Sequence, residues 1–156
     1  IHAFSIKLKK LLRAKTVKFE RLYYRNLFIF QMNTQELKIE FTKYPFPQLA
    51  KPRLIGGFKI DSLKDIAANK LMALLDRFDP KDFADLFFIL QKRKLQDLRE
   101  DTEKKFEVKI SAVFLGGELA KAKRIEALPK MIKPLTVEKL KIFFSKLAKS
   151  LAPEIF

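Results

Sequence analysis

The sequence contains no cysteine, no tryptophan and a single histidine, His2. Without cysteine the chain has no disulfide, thiol nucleophile, zinc ribbon or iron–sulfur site. A lone histidine excludes a histidine-rich metal cluster and argues against a Ser-His-Asp triad. Any chemistry must therefore depend on carboxylate, lysine, arginine and hydroxyl groups.

Long apolar runs are also missing, since stretches such as Leu86–Leu90 extend over only a few residues. A membrane-spanning helix needs about 18 apolar residues. The first residues lack the apolar core and small-residue cleavage site of a signal peptide. Together with the lack of cysteine, these features predict a cytoplasmic protein without membrane association. Because the chain begins with Ile1 rather than methionine, we expect the natural protein to begin upstream.

Charge is plentiful and is mostly of one sign. The 156 residues carry a formal net charge of +15. Residues 1–60 hold 13 lysines and arginines against 3 acidic residues, residues 61–105 hold 10 of each, and residues 106–156 hold 10 against 5. A basic surface attracts nucleotides, RNA and DNA through long-range steering and counterion release. Charge alone is equally compatible with a solvated basic surface that binds no nucleic acid.

The first 60 residues change from a helical to a strand-like pattern. Residues 4–14 have amphipathic helix spacing. Three short segments follow that are rich in β-branched and aromatic residues, which predicts strands at 16–20, 27–32 and 37–41. In the last strand, Leu37, Ile39 and Phe41 are predicted to face the core, with Glu40 on the opposite face.

The pattern becomes helical at Ser62, after a proline-rich connector (44–52) and a short strand (58–60). Ser62 and Asp79 are good N-cap residues, with Pro80 as a good first helical residue, and they predict helices over 62–78 and from Pro80 onward. A more polar helix is predicted at 95–106, then a break near Gly116 and Gly117, and a final helix capped by Thr136. These patterns predict an α+β fold in which a partial sheet precedes a helical lobe.

The densest polar cluster lies where the first two of these helices meet. Lys70 and Arg77 are seven residues apart and therefore project from one helix face. Asp82 and Asp85 share a face of the next helix, and the turn at Asp79 folds that helix back toward the first. Two cations and two carboxylates are thus expected to meet in a cleft and bind a polyanion. Capping and interhelix salt bridges would explain the same residues without any function.

Glu40 is a second candidate, because a carboxylate on the polar face of a strand can bind Mg²⁺. No Asp-x-Asp pair lies near it. One carboxylate does not make a metal site.

Residues 41–90 contain the segments YPFP, GGFKI, DIAANKLMALLDR and KDFADL, in that order. This run resembles the AbiEii/AbiGii nucleotidyltransferase-like toxin family. In that family a Tyr-Pro-x-Pro connector and a glycine-rich strand precede a block that reads DIAAxKLxAL, then an arginine, then KDFxDL. Order, spacing and residue type agree over about fifty residues, and weaker similarity extends toward both ends. The family often has glycine after the arginine, whereas Phe78, Asp79 and Pro80 follow Arg77 here.

The resemblance implies a polymerase-β-like nucleotidyltransferase fold with an added helical domain. Residues 1–60 would be the C-terminal part of the nucleotidyltransferase-like α/β lobe, with a partial mixed sheet, and 61–156 the helical domain. The family's Gly-Ser and Asp-x-Asp motifs are missing from this chain and would precede Ile1. By motif, the resemblance implies catalytic roles for Lys70, Asp85 and Asp82, nucleotide binding by Lys70 and Arg77, and a metal-binding role for Glu40.

The implied function is that of a toxin from a bacterial toxin–antitoxin or abortive infection system. Such a protein would use Mg²⁺ to transfer a nucleotide from an NTP to an RNA or protein acceptor, and a cognate antitoxin would be its partner. Lys70, Arg77 and Asp85 are then expected to converge on one cleft that faces the strand of Glu40. The alternative is a basic binding module, or a degenerate family member, that engages nucleic acid or a partner protein without catalysis.

Overall fold

The computed structural model describes residues 2–152, except for the side chain of His2. The chain divides into two compact units, residues 1–45 (unit 1) and residues 46–156 (unit 2). The division precedes the domain boundary predicted at residue 60. An antiparallel sheet and a set of helices confirm the α+β class.

Unit 1 is a helix followed by a three-stranded antiparallel meander of order β1-β2-β3. Its elements are α1 (His2–Leu12), β1 (Thr16–Leu22), β2 (Arg25–Gln31) and β3 (Glu36–Thr42). In the β2–β3 register, Phe28 is paired with Ile39 and Leu27 with Glu40. Because paired residues share a face, the apolar and polar residues of β3 lie on opposite faces, as predicted.

The core of unit 1 is built around Phe28 and Phe30, both buried. Helix α1 covers this face, since the Phe4 ring meets the rings of Phe28 and Phe41 edge to face at 5.7 and 5.6 Å. Phe41 is predicted to face the core and does make these contacts, although 46% of its surface remains exposed.

Unit 2 begins with a short hairpin and continues as helices. The described elements are β4 (Arg53–Ile55), β5 (Phe58–Ile60), α2 (Leu63–Asp76), α3 (Pro80–Leu90), α4 (Leu95–Phe106), α5 (Ala112–Ala120), a 3-10 turn (Lys121–Arg124) and α6 (Val137–Lys149). The apolar stripes of the helices meet in one core, in which Phe83 of α3 packs edge to face against Phe144 of α6 at 5.2 Å. Among the residues that the structure describes, no helix is both long and apolar enough to cross a membrane.

The predicted helix starts are confirmed by their caps. Ser62 Oγ accepts a hydrogen bond from the Asp65 amide at 3.1 Å, and Asp79 Oδ1 accepts one from the Lys81 amide at 2.9 Å. Thr136 Oγ1 accepts one from the Lys139 amide at 3.2 Å. These bonds satisfy amides that the first helical turn leaves unpaired.

The break predicted at Gly116 and Gly117 is wrong, because α5 continues through both residues. The neighbours Leu115 and Leu119 are fully buried, and burial of such side chains outweighs the cost of about 1 kcal/mol for glycine within a helix. A Cβ atom on Gly116 would lie 3.8 Å from the Ala148 carbonyl oxygen. Gly116 thus lies where the surface of α5 meets α6.

A buried ion pair connects α2, α4 and the proline-rich connector. Asp65 Oδ1 accepts hydrogen bonds from Lys105 Nζ at 2.7 Å and the Leu49 amide at 2.8 Å. Asp65 Oδ2 accepts them from Ser62 Oγ at 2.6 Å and the Ala50 amide at 3.2 Å. Asp65 is 0% and Lys105 1% exposed. We call Asp65 and Lys105 the buried pair. The sequence predicted the cap at Ser62 but not this pair.

Candidate functional site

Lys70, on α2, is the centre of the candidate site. Its Nζ lies 3.1 Å from Asp82 Oδ1 and 2.6 Å from Asp85 Oδ2, both on α3. The Lys70 side chain is 32% exposed, so its ammonium group contacts both carboxylates and still reaches solvent. The structure therefore brings these three predicted residues together. We call Lys70, Arg77, Asp82 and Asp85 the groove cluster.

Asp82 is the buried member of the groove cluster, with 1% of its side chain exposed. Its Oδ1 accepts a hydrogen bond from Lys70 Nζ, and its Oδ2 accepts one from Arg77 Nε at 3.1 Å. The Arg77 Nη2 atom is also 3.1 Å from Oδ2. Two cations thus compensate one buried carboxylate and fix its orientation. Asp82 is therefore suited to hold Lys70 and Arg77 in place.

The local sequence explains why these groups meet. Lys70 and Arg77 are separated by two helical turns, and α2 ends at Asp76 with Arg77 in an extended conformation as its C-cap. Asp79 then caps α3 with Pro80 in its first turn. This short connection folds α3 back along α2 and places Asp82 beside Lys70 and Arg77.

The ion pairs set the protonation state of the two cations. Burial lowers the pKa of the Lys70 ammonium, but the hydrogen bonds to Asp85 and Asp82 outweigh that effect and leave this pKa above its ordinary value. The hydrogen bond to Asp82 raises the pKa of the Arg77 guanidinium. Lys70 is consequently a cation at neutral pH, which suits it to binding phosphate and not to accepting a proton.

Lys70 and Asp85 line an open groove of about 580 Å³ on unit 2. The volume is within the range of roughly 300–1,000 Å³ found for ligand sites. Of the four predicted residues, Lys70 and Asp85 line the groove, whereas Asp82 is buried and Arg77 pairs with Asp82. The lining consists of Lys70, Lys81, Ala84, Asp85, Phe88, Pro129, Lys130, Met131, Ile132 and Lys133.

Glu40, the predicted metal ligand, lies on β3 of unit 1 with 43% of its side chain exposed. Its Oε1 accepts a hydrogen bond from Thr42 Oγ1 at 2.9 Å and lies 3.8 Å from Arg25 Nη1. Within residues 2–152, no group of three or more acidic, histidine or cysteine residues is placed to hold a metal ion. Both the Mg²⁺ requirement and the orientation of the groove toward Glu40 stay predictions.

Sequence reasoning missed three lysines of the groove, namely Lys81, Lys130 and Lys133. Lys81 belongs to the KDFADL block but was not singled out. Lys130 and Lys133 occur in the segment between Pro129 and Pro134, which gave no helical or strand signal. The close spacing of these two lysines was the available clue, and only the tertiary fold shows that they share a groove with Lys70.

Comparison with known proteins gives a consistent result. The chain is 35% identical over 74 residues to an uncharacterized protein of Aquifex aeolicus (strain VF5), in a match that covers 45% of this chain and 36% of the relative. The chain therefore matches little more than a third of the length of that relative. No solved structure matches the chain. The family described as nucleotidyl transferase AbiEii toxin, type IV toxin–antitoxin system, matches residues 4–152, and the chain belongs to this family.

Proposed function

We propose that the full-length protein is a toxin that transfers a nucleotide from an NTP to an acceptor molecule, with the groove of unit 2 as part of its active site. The observation that carries this proposal is Lys70, a cation held by Asp82 and Asp85 at the edge of a groove. The same residues belong to the sequence block that resembles the family. Cations that are fixed before the reaction stabilise phosphate charge better than mobile ones.

The reaction assigns roles to Lys70, Asp82 and Asp85. An acceptor oxygen forms a bond to the α-phosphorus of the NTP, the bond to the β-phosphate bridge breaks, and pyrophosphate leaves. Lys70 contacts phosphate oxygens and stabilises their negative charge. Asp82 keeps Lys70 and Arg77 in position, and Asp85, half exposed at the groove, orients Lys70 or accepts the proton of the acceptor. Mg²⁺ remains part of the proposal through the family alone, and no step here depends on it.

The acceptor is proposed to be RNA or protein, and a cognate antitoxin is the proposed partner. The description of the matched family assigns it to a type IV toxin–antitoxin system. A chain with a net charge of +15 is well suited to binding an acidic partner or RNA. Growth of a bacterial host that expresses the full-length gene, with and without the adjacent gene, tests the proposed toxicity and its neutralisation by an antitoxin. Unimpaired growth in both cases would remove the toxin proposal.

Labelling with each radioactive NTP tests the activity. We expect the full-length protein to label an acceptor in a bacterial extract, and Lys70→Ala to abolish the labelling. Lys70 is partly exposed and Asp82 keeps Arg77 as a partner, so this variant should lose only about 1 kcal/mol of stability. Lys146→Ala, which removes an exposed lysine of α6, is the matched control and should label normally.

The second candidate is a binding module without catalysis. The specific observation in its favour is the excess of lysines in the groove, which contains four ammonium groups and one carboxylate. A folded full-length protein that binds nucleic acid but labels nothing with any NTP would establish this candidate in place of the enzyme.

A further inference from the structure

The groove contains more positive charge than the groove cluster explains. Lys81 at the start of α3 and Lys130 and Lys133 in the segment before α6 are all exposed, and they line the groove together with Lys70. Lys70 already has Asp82 and Asp85 as partners. Among the lining residues that the structure describes, Asp85 is the one carboxylate. The other three lysines therefore give the groove a net positive charge that favours an anionic ligand.

Apart from the lysines and Asp85, the described residues that line the groove are apolar. Phe88 of α3 and Pro129, Met131 and Ile132 of the opposite segment line the same groove. The Nζ atom of Lys133 lies 5.6 Å from the centre of the Phe88 ring, so one cation and one aromatic face are already adjacent. A groove that combines lysines with an aromatic ring and several aliphatic side chains suits a ligand made of phosphates and flat bases.

We propose that Lys81, Lys130 and Lys133 bind the phosphate backbone of a single-stranded RNA, with its bases against Phe88 and the neighbouring apolar residues. This proposal rests on the proposed function, because the RNA would be the acceptor. Charge favours RNA over the donor NTP as the ligand of these three lysines. A triphosphate reaches a transferase with divalent cations that neutralise much of its charge and need carboxylate ligands. Asp85 already pairs with Lys70, so Lys81, Lys130 and Lys133 fit phosphates that arrive without a metal ion.

The test is equilibrium binding of a fluorescent oligouridine RNA to the full-length protein at several salt concentrations. The double variant Lys130→Gln/Lys133→Gln removes two charges from the groove. The matched control Lys146→Gln/Lys149→Gln removes two exposed lysines from the last turn of α6, outside the groove lining. Both variants change the net charge equally, so a difference between them reports the groove. Thermal melts establish that both variants are folded.

We expect the groove double variant to bind RNA about ten-fold more weakly than the control at moderate salt. For single-stranded nucleic acid, the slope of log affinity against log salt changes by about 0.7 for each phosphate contact. The groove variant should therefore lose about 1.4 from that slope, and Lys81→Gln about half as much. Binding of each NTP, with and without Mg²⁺, should stay within about two-fold of the unmodified protein.

Two results would overturn the proposal. Equal RNA binding by the groove variant and the control would mean that the groove does not hold RNA and would favour a protein acceptor. A loss confined to NTP binding would assign the three lysines to the donor instead. The binding and labelling experiments test different proposals. If no acceptor is labelled but the two variants differ clearly in RNA binding, only the proposed transfer is contradicted. If labelling is normal but the two variants bind RNA equally, only this inference is contradicted.

Discussion

Helix α2 carries two ion-paired sites that differ in what surrounds them. The buried pair joins Asp65 to Lys105 with both side chains excluded from solvent, and every oxygen of Asp65 has protein partners. The groove cluster joins Lys70 to Asp82 and Asp85, and its lysine opens onto a groove. A carboxylate whose hydrogen-bonding capacity is used within the protein has nothing left for a ligand.

The difference separates a stabilising role from a functional one. The buried pair fixes the connector, α2 and α4 relative to one another within unit 2. Its loss should destabilise the fold without directly altering a ligand-binding site. The groove cluster keeps a cation partly exposed beside empty volume, and its loss should affect binding before it affects folding. Charged residues alone do not distinguish the two sites, but exposure and an adjoining groove do.

Breaking the buried pair should have the largest effect on stability. We expect Lys105→Met to lower the free energy of unfolding by about 3–5 kcal/mol, because Asp65 would remain buried without its cation. Chemical denaturation measures this loss. Lys104→Met changes the exposed neighbour on α4 and should cost less than about 0.5 kcal/mol. A loss below about 1 kcal/mol for Lys105→Met would show that the pair is not the main tie between these elements.

The same pair should make stability depend on acid. Burial raises the pKa of the Asp65 carboxyl, but hydrogen bonds from Lys105, Ser62 and the amides of Leu49 and Ala50 outweigh burial and hold that pKa well below its ordinary value. Asp65 in the folded protein therefore binds its proton only at lower pH than in the unfolded chain. Its contribution is complete above about pH 5 and is lost as the pH falls toward the folded-state pKa.

Denaturation at a series of pH values checks this dependence. We expect the free energy of unfolding to decline below about pH 5, and to decline less steeply in the double variant Asp65→Asn/Lys105→Met. Hydrogen bonds also lower the pKa values of Asp101 and Glu103, so some acid dependence should persist in the variant. Identical pH profiles for the two proteins would exclude Asp65 as a source of the acid sensitivity.

Much of the groove cluster was predictable because its determinants are local. The predicted helix brings Lys70 and Arg77 close, although Arg77 itself is the extended C-cap of α2. The capping signals at Asp79 and Pro80 fix the reversal that brings Asp82 and Asp85 close. The same kind of reasoning predicted the three strands of unit 1. Local signals failed at Gly116, where packing of α5 decides the structure, and they missed the short strand β4.

What local signals could not provide are contacts between distant segments. Lys105 approaches Asp65 from another helix, and Lys130 and Lys133 reach the groove from a segment with no regular structure. Sequence periodicity carries no information about such partners, because tertiary packing alone sets which surfaces meet. Helical spacing in the sequence therefore identified Lys70 and Arg77 but not the exposed lysines Lys130 and Lys133.

Substitution of Asp82 should have a smaller effect on stability than breaking the buried pair. Asp82 is buried like Asp65, but its partners Lys70 and Arg77 belong to the groove cluster. Asp82→Asn keeps the shape and removes the charge that compensates Lys70 and Arg77. We expect a loss of about 1–3 kcal/mol in the free energy of unfolding, which is typical of a broken buried hydrogen-bond network. NTP-dependent labelling per folded molecule should also fall, because Lys70 loses one of its two anchors. Normal labelling by the folded fraction would reduce Asp82 to a purely structural residue.

Asp85→Asn should have the smallest effect on stability and the most informative effect on the groove. Asp85 is 50% exposed, so the lost pair with Lys70 should cost only about 0–1 kcal/mol. The variant removes the one carboxylate that lines the groove and releases Lys70 from it, and an exposed charge change of that size alters affinity by up to about five-fold. We therefore expect oligouridine to bind about two- to five-fold more tightly while NTP-dependent labelling falls. Weaker RNA binding would place Asp85 among the residues that hold the ligand, and undiminished labelling would remove it from the transfer reaction.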